Sequence, residues 1–164
     1  MLELHAIASL KQEGGGRFAV AMTAHENRRF LTGIERDHSQ YYSMLGRVNA
    51  ETSDCSRAED RHSIHESIRS SVGFATLSRM VFKVLEGWME EQLQGQATAL
   101  SAAGDEEMAM AWKATLANVL TLQGRYDEAA WIQEACLKFF RGALPENHPV
   151  IGVLRLYSLN QTQF

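Results

Sequence analysis

The chain has 164 residues, 45% of them hydrophobic, and a formal net charge of −4. This length predicts one domain with a hydrophobic core. The mild acidity does not fit a surface for nucleic acid or an anionic membrane, and no apolar run approaches the roughly 20 residues that span a membrane. Because Met1 to Leu10 lacks the basic start of a signal peptide, we expect a cytoplasmic protein whose two cysteines, Cys55 and Cys136, are reduced thiols.

Apolar residues recur at helical spacing along most of the chain. The two prolines, Pro145 and Pro149, lie in one linker, and their absence from the preceding sequence favours a mostly helical structure. The predicted helices cover residues 2–12, 18–31, 35–49, 55–70, 74–86, 88–103, 108–122, 126–140 and 147–160. Gly33 is the expected stop of the second of these helices.

The clearest local pattern is a helical hairpin centred on Gly124. Glycine ends a helix easily because it reaches the left-handed conformation without a Cβ clash. The connection is too short for the following helix to do anything but fold back. Ala129 is small where the two helices must approach most closely, and Tyr126 is large just after the turn.

Weaker copies of this hairpin precede it at a spacing in the mid-thirties, with turns predicted before Phe18 and at Glu86-Gly87. Such a period predicts an all-α solenoid of about four helix-turn-helix repeats plus a final helix. The predicted repeats cover 1–34, 36–72, 73–104 and 105–143, and the closing helix covers 147–160. The positions that carry the repeated pattern are Gly16, Phe18, Ala21, Leu45, Gly46, Ala58, Leu116, Gly124, Tyr126 and Ala129.

The best repeat resembles the tetratricopeptide family, whose units contain Leu-Gly or Leu-Ala, a Gly-x-Tyr turn, an alanine and a second Ala-Leu. The resemblance covers about 105–152. Within it, the linker 144–149 is similar to that of the kinesin-light-chain-like subfamily. The matching residues are Leu116-Ala117, Gly124, Tyr126, Ala129 and Cys136-Leu137.

The resemblance implies a scaffold or adaptor that binds a peptide or helix of another protein in a concave groove. It implies no enzyme activity and no cofactor. Arg47, the one strong cation of the expected lining, favours an acidic residue in the bound peptide. The final helix lacks a partner helix in the sequence. We therefore expect either that the chain is cut from a longer array or that this helix packs on another molecule, for example by self-association. The expected groove residues are Gln40, Ser43, Arg47, Ala114, Asn118 and Thr121.

An alternative function is a regulatory or sensor domain with a small ligand or metal near His62 and His65. With Glu66, these side chains lie within one helical turn and could bind zinc. Their order is not that of a zincin, and His38 or Cys55 as a further ligand is a guess. A polar, solvated helix surface is the more common explanation, so we predict no metal there.

The three tryptophans also have two interpretations. Trp88, Trp112 and Trp131 could form a stacking surface, but tryptophans at helical positions more often pack between helices. We therefore predict that they contribute to helix packing.

Overall fold

The computed structural model describes residues 5–7, 19–53, 58–145, 147–149, 151–152 and 154. Helices dominate this part of the chain, which confirms the all-α class. A short antiparallel β-ribbon precedes them, with His5 opposite Ala21 and Ile7 opposite Ala19. The elements are β1 (His5–Ile7), β2 (Ala19–Ala21), α1 (Ala24–Arg36), α2 (His38–Leu45), a 3₁₀ turn (Ala50–Thr52), α3 (Ala58–Ser70), α4 (Phe74–Ala102), α5 (Glu106–Leu122) and α6 (Tyr126–Ala143).

The start of the chain differs from the sequence prediction. Helices were predicted over 2–12 and 18–31, but β1 and β2 lie within these ranges. Helix α1 begins only after Thr23, whose Oγ1 accepts a hydrogen bond from the Glu26 backbone N–H at 3.2 Å while the Glu26 carboxylate accepts from the Thr23 N–H at 2.7 Å. This capping box fixes the helix start. Ala21 is therefore in a strand, and the predicted turn residues Gly16 and Phe18 lie outside the described residues.

The predicted stop at Gly33 is also wrong, because α1 continues to Arg36. A side chain at Gly33 would overlap the hydroxyl and ring of Tyr41, so glycine here permits close packing and not a turn. The break comes at Asp37, whose carboxylate accepts a hydrogen bond from the Gln40 N–H at 2.9 Å and caps α2. Gly46, a predicted repeat position, follows α2 in a right-handed conformation with φ −66°.

The two-helix unit predicted over 73–104 is a single helix. Helix α4 contains 29 residues and passes through Gly87 without interruption. Glu86, predicted to lie in a turn, is instead buried and accepts a hydrogen bond from the Tyr42 hydroxyl of α2. Lys83 forms an ion pair with the same carboxylate at 2.7 Å. A buried carboxylate is costly unless it is paired, and the uninterrupted helix places Glu86 beside both of its partners.

The Tyr42–Glu86 contact joins α2 to α4. Two causes raise the pKa of Tyr42 above its ordinary value. Burial is the larger, and the hydrogen bond to the Glu86 carboxylate is the next. The phenol therefore stays protonated and acts as the donor. A hydrogen bond to a charged group is stronger than one between neutral groups.

The main core lies between α4 and α5, with α2 packed on both. Leu85, Met89, Leu93 and Ala97 recur every fourth residue and form one buried face of α4. A second core lies on α6, where Ile151 and Leu154 pack against it. Its α6 members are Cys136, Leu137 and Phe140. Of the predicted closing helix, Ile151 and Leu154 thus pack on α6, and residues 155–160 lie outside the described residues.

The α5–α6 hairpin agrees with the sequence prediction. Gly124 has φ 78°, its N–H donates to the Thr121 carbonyl at 3.0 Å, and the Arg125 N–H donates to the Leu120 carbonyl at 3.0 Å. This is a Schellman motif. Gly104, with φ 83°, forms the same motif between α4 and α5. The two turns make α4, α5 and α6 successive antiparallel helices.

The glycines give a direct test of the uninterrupted α4. Nothing lies within 4 Å of a Cβ added at Gly87 or Gly124. Gly87→Ala should stabilise the fold by about 0.5–1 kcal/mol, because alanine is the better residue inside a helix. Gly124→Ala should destabilise it by about 1–2 kcal/mol, because alanine is strained in the left-handed conformation. The measurement is chemical denaturation of both variants. Destabilisation by Gly87→Ala would show that a turn divides α4.

Ala129 tests the close approach of α5 and α6. It is fully buried, whereas Ala135 is exposed on the same helix. Ala129→Glu should destabilise the protein by several kcal/mol, on the order expected for an unpaired buried charge. Ala135→Glu should change stability by less than about 0.5 kcal/mol. Thermal melting compares the two variants, and equal melting temperatures would place Ala129 on the surface.

Tyr42→Phe tests the contact between α2 and α4. Removal of the hydroxyl leaves the buried Glu86 carboxylate without this donor, so the free energy of unfolding should fall by about 1.5–3 kcal/mol. Tyr126→Phe is the matched control because Tyr126 is half exposed, and its effect should stay below about 0.5 kcal/mol. Equal effects in urea unfolding would show that Tyr42 does not hold Glu86.

Candidate binding groove

An open groove lies between α4 and α6, with α5 as its floor. Its volume is about 800 Å³. Helices α4 and α6 each pack on α5, and the space between them is left by the small residues Gly95, Ala99 and Ala102 along α4. From Glu90 to Ala102 the α4 wall is about 18 Å long at 1.5 Å per residue.

The groove combines an apolar floor with a polar rim. Leu116 and Leu120 of α5 and Ile132 of α6 form the floor. Their aliphatic side chains offer no hydrogen bond, so contact with them favours apolar groups. The rim consists of Glu90, Glu91, Gln94, Thr98, Arg125 and Glu128.

Arg125 closes one end of the groove. Its Nη1 lies 2.7 Å from the Glu90 carboxylate of α4, and its Nε and Nη2 each donate to Glu128 at 2.7 Å. The paired donors match the two oxygens of a carboxylate. The guanidinium thus joins α4 to the first turn of α6.

The Arg125 cluster contains one guanidinium and two carboxylates, so its net charge is negative. The hydrogen bond from Arg125 holds the pKa of Glu128 below its usual value, and the hydrogen bonds to Glu128 and Glu90 raise the pKa of Arg125. One guanidinium therefore faces two carboxylates. Glu91 adds a third negative charge to the rim, which favours a cationic ligand.

The groove predicted from the sequence is elsewhere. Gln40 and Ser43 are exposed on α2, Arg47 is exposed just after it, and Ala114, Asn118 and Thr121 are partly buried on α5. Helices α2 and α5 are in contact, so the two sets lie on neighbouring elements. The six residues are not among those lining the α4–α6 groove. Their role in binding stays a prediction.

Some of these side chains already have intramolecular contacts. The Thr121 hydroxyl donates to the Ala117 carbonyl at 2.9 Å, and Ala114 packs beside the second core.

Of the predicted repeat positions, Leu45, Leu116 and Ala129 are buried. Ala58 is the first residue of α3, and Tyr126 is exposed.

The histidines of α3 have no surrounding set of metal ligands in the part of the chain that the structure describes. His62 and Glu66 are exposed, and the His65 ring packs edge-on against Phe74 with 4.9 Å between centroids. Cys55, considered as a further ligand, lies outside the described residues.

The tryptophans do not share one environment. Trp88 packs on Phe30 with ring centroids 4.8 Å apart, and Trp112 is buried. Trp131 is 75% exposed, so the prediction that it packs between helices is wrong. It lies on the face of α6 away from Ala129 and the core.

Cys136 is a free buried thiol, as predicted. Its Sγ donates to the Met110 carbonyl at 3.5 Å. Burial raises the pKa of the thiol to about 11. The neutral thiol is therefore a packing residue between α6 and α5 and a poor nucleophile.

No family model, curated protein or solved structure matches the chain. Among the described residues, no helix is both long enough and apolar enough to cross a membrane. The contacts of the groove are thus the basis for assigning a function.

Proposed function

We propose that the chain is a protein-interaction scaffold or adaptor that holds an amphipathic, basic helix of a partner protein in the α4–α6 groove. The observation that carries this proposal is the combination of an apolar floor with an acidic rim in one open groove. The proposed architecture is a tetratricopeptide-like array whose best unit is the α5–α6 hairpin.

Two features support the array. The turns at Gly104 and Gly124 have the same hydrogen-bonding pattern, so successive helices reverse direction in the same way. Ala129 is fully buried at the contact that the repeat pattern requires to be small. Because α4 is uninterrupted, the regular part of such an array would begin with the second half of α4.

A helix fits the groove better than a flat partner surface. Two helices that run in the same direction flank the groove, and an 18 Å wall accommodates about twelve residues of a bound helix at 1.5 Å per residue. An amphipathic helix places apolar side chains on one stripe. That stripe would contact Leu116, Leu120 and Ile132.

The charge on the rim favours basic residues on the two sides of the apolar stripe of that helix. Glu90 and Glu128 share Arg125, and Glu91 has no ion pair among the described residues. Lys or Arg beside the apolar stripe would therefore meet net negative charge, whereas Asp or Glu would be repelled.

The test is selection from a displayed library of helical peptides with an apolar stripe and basic flanks. Peptides should be enriched on the parent protein. Ala99→Trp should weaken their binding at least about tenfold, because the indole fills the space beside the floor. Ala111→Trp is the matched control, since Ala111 is exposed on α5 and does not line the groove. Its affinity should equal that of the parent.

Two results would contradict this assignment. One is that no peptide is enriched or that the selected peptides bind the Ala99→Trp variant as tightly as the parent. The other is that affinity is lost in an Arg47→Ala, Asn118→Ala double variant but kept in Ala99→Trp. The second result would move the partner to the surface predicted from the sequence.

A further inference from the structure

A second cleft, on α1, has the opposite charge. It has a volume of about 520 Å³ and is lined by His25, Arg28, Arg29, Thr32, Arg36 and Tyr41, together with the backbone at Gly33. Three of the chain's 16 basic residues thus meet in one cleft of a protein with a net charge of −4. We propose that this cleft binds a compact anion that carries two or more phosphate groups.

The arginines are available to a ligand. Among the described residues, neither Arg29 nor Arg36 takes part in an ion pair or a side-chain hydrogen bond. Both side chains are exposed. Arg28 donates through Nε to the Ala24 carbonyl at 3.3 Å, which leaves its terminal nitrogens for other acceptors. Arginine binds phosphate oxygens with two parallel hydrogen bonds.

The cleft is shaped by a packing contact as well as by the exposed face of α1. Because Gly33 lacks a side chain, the Tyr41 ring can lie directly against α1. A glycine inside a helix is less favourable than an alanine, and here it allows Tyr41 of α2 to form a wall of the cleft together with Thr32. Their two hydroxyl groups add hydrogen-bond donors next to the guanidinium groups.

Charge density favours phosphate over the carboxylates of an acidic peptide. The cationic groups line one cleft, and its volume falls within the range of about 300–1,000 Å³ typical of small-ligand sites. A polyphosphate group concentrates several charges and acceptor oxygens in such a volume, whereas a peptide distributes single charges along an extended chain. A soluble polyphosphate and a phosphorylated lipid headgroup present the same chemistry.

The test is calorimetric titration of the full chain with sodium tripolyphosphate at constant ionic strength. The parent should bind, and an Arg29→Gln, Arg36→Gln double variant should bind at least about tenfold more weakly through the loss of charge-assisted hydrogen bonds. Tyr41→Phe should weaken binding by a smaller factor. The control is Arg79→Gln, Arg141→Gln, which removes the same charge at two exposed arginines that do not line this cleft and should leave the affinity unchanged.

Further binding measurements identify the source of the phosphate groups and distinguish the α1 cleft from the α4–α6 groove. Vesicles containing a phosphatidylinositol bisphosphate, compared with phosphatidylserine vesicles of equal charge, test the lipid headgroup. Hexaglutamate tests an acidic peptide. Ala99→Trp should not alter tripolyphosphate binding, because it lies in the α4–α6 groove. The proposal is overturned if tripolyphosphate does not bind, if both double variants lose the same affinity, or if hexaglutamate binds as tightly.

Discussion

The buried row Leu85, Met89, Leu93 and Ala97 along α4 is the contact on which the rest of the described structure depends. Its four-residue spacing keeps it on one face for three turns, so α2 and α5 can share the same surface. An interruption at Gly87 would divide this row after Leu85. Burial of apolar area at about 25 cal/mol per Å² therefore favours the continuous helix over the local preference of glycine for a turn.

Local chemistry explains which elements could be predicted from the sequence. The α5–α6 hairpin was predicted because its determinants lie within a few residues: Gly124 needs the left-handed conformation, and Ala129 is small at the contact. The errors at Gly33 and Gly87 have one cause. Each glycine was interpreted as a helix end, but at Gly33 the Tyr41 ring occupies the place of a side chain, and at Gly87 the buried faces on both sides hold the helix together.

The α4–α6 groove was not predictable in the same way. Residues 73–104 were predicted to form a two-helix hairpin, but they form the single helix α4. The small residues Gly95, Ala99 and Ala102 leave one wall of the groove open. The ion pair between Glu90 and Arg125 joins residues 35 positions apart, and only the packing of α4, α5 and α6 brings them together. A sequence pattern gives no distance across three helices.

The continuous α4 also connects the groove to the Tyr42–Glu86 contact. The two features lie on one helix, only four residues apart at Glu86 and Glu90. A helix without a proline, a π-bulge or an inserted side chain bends only gently. The α4 wall of the groove is thus set by the same buried contacts that position α2. The proposed partner helix would meet a wall that is already ordered, and less of the interaction energy would be lost to ordering the protein on binding.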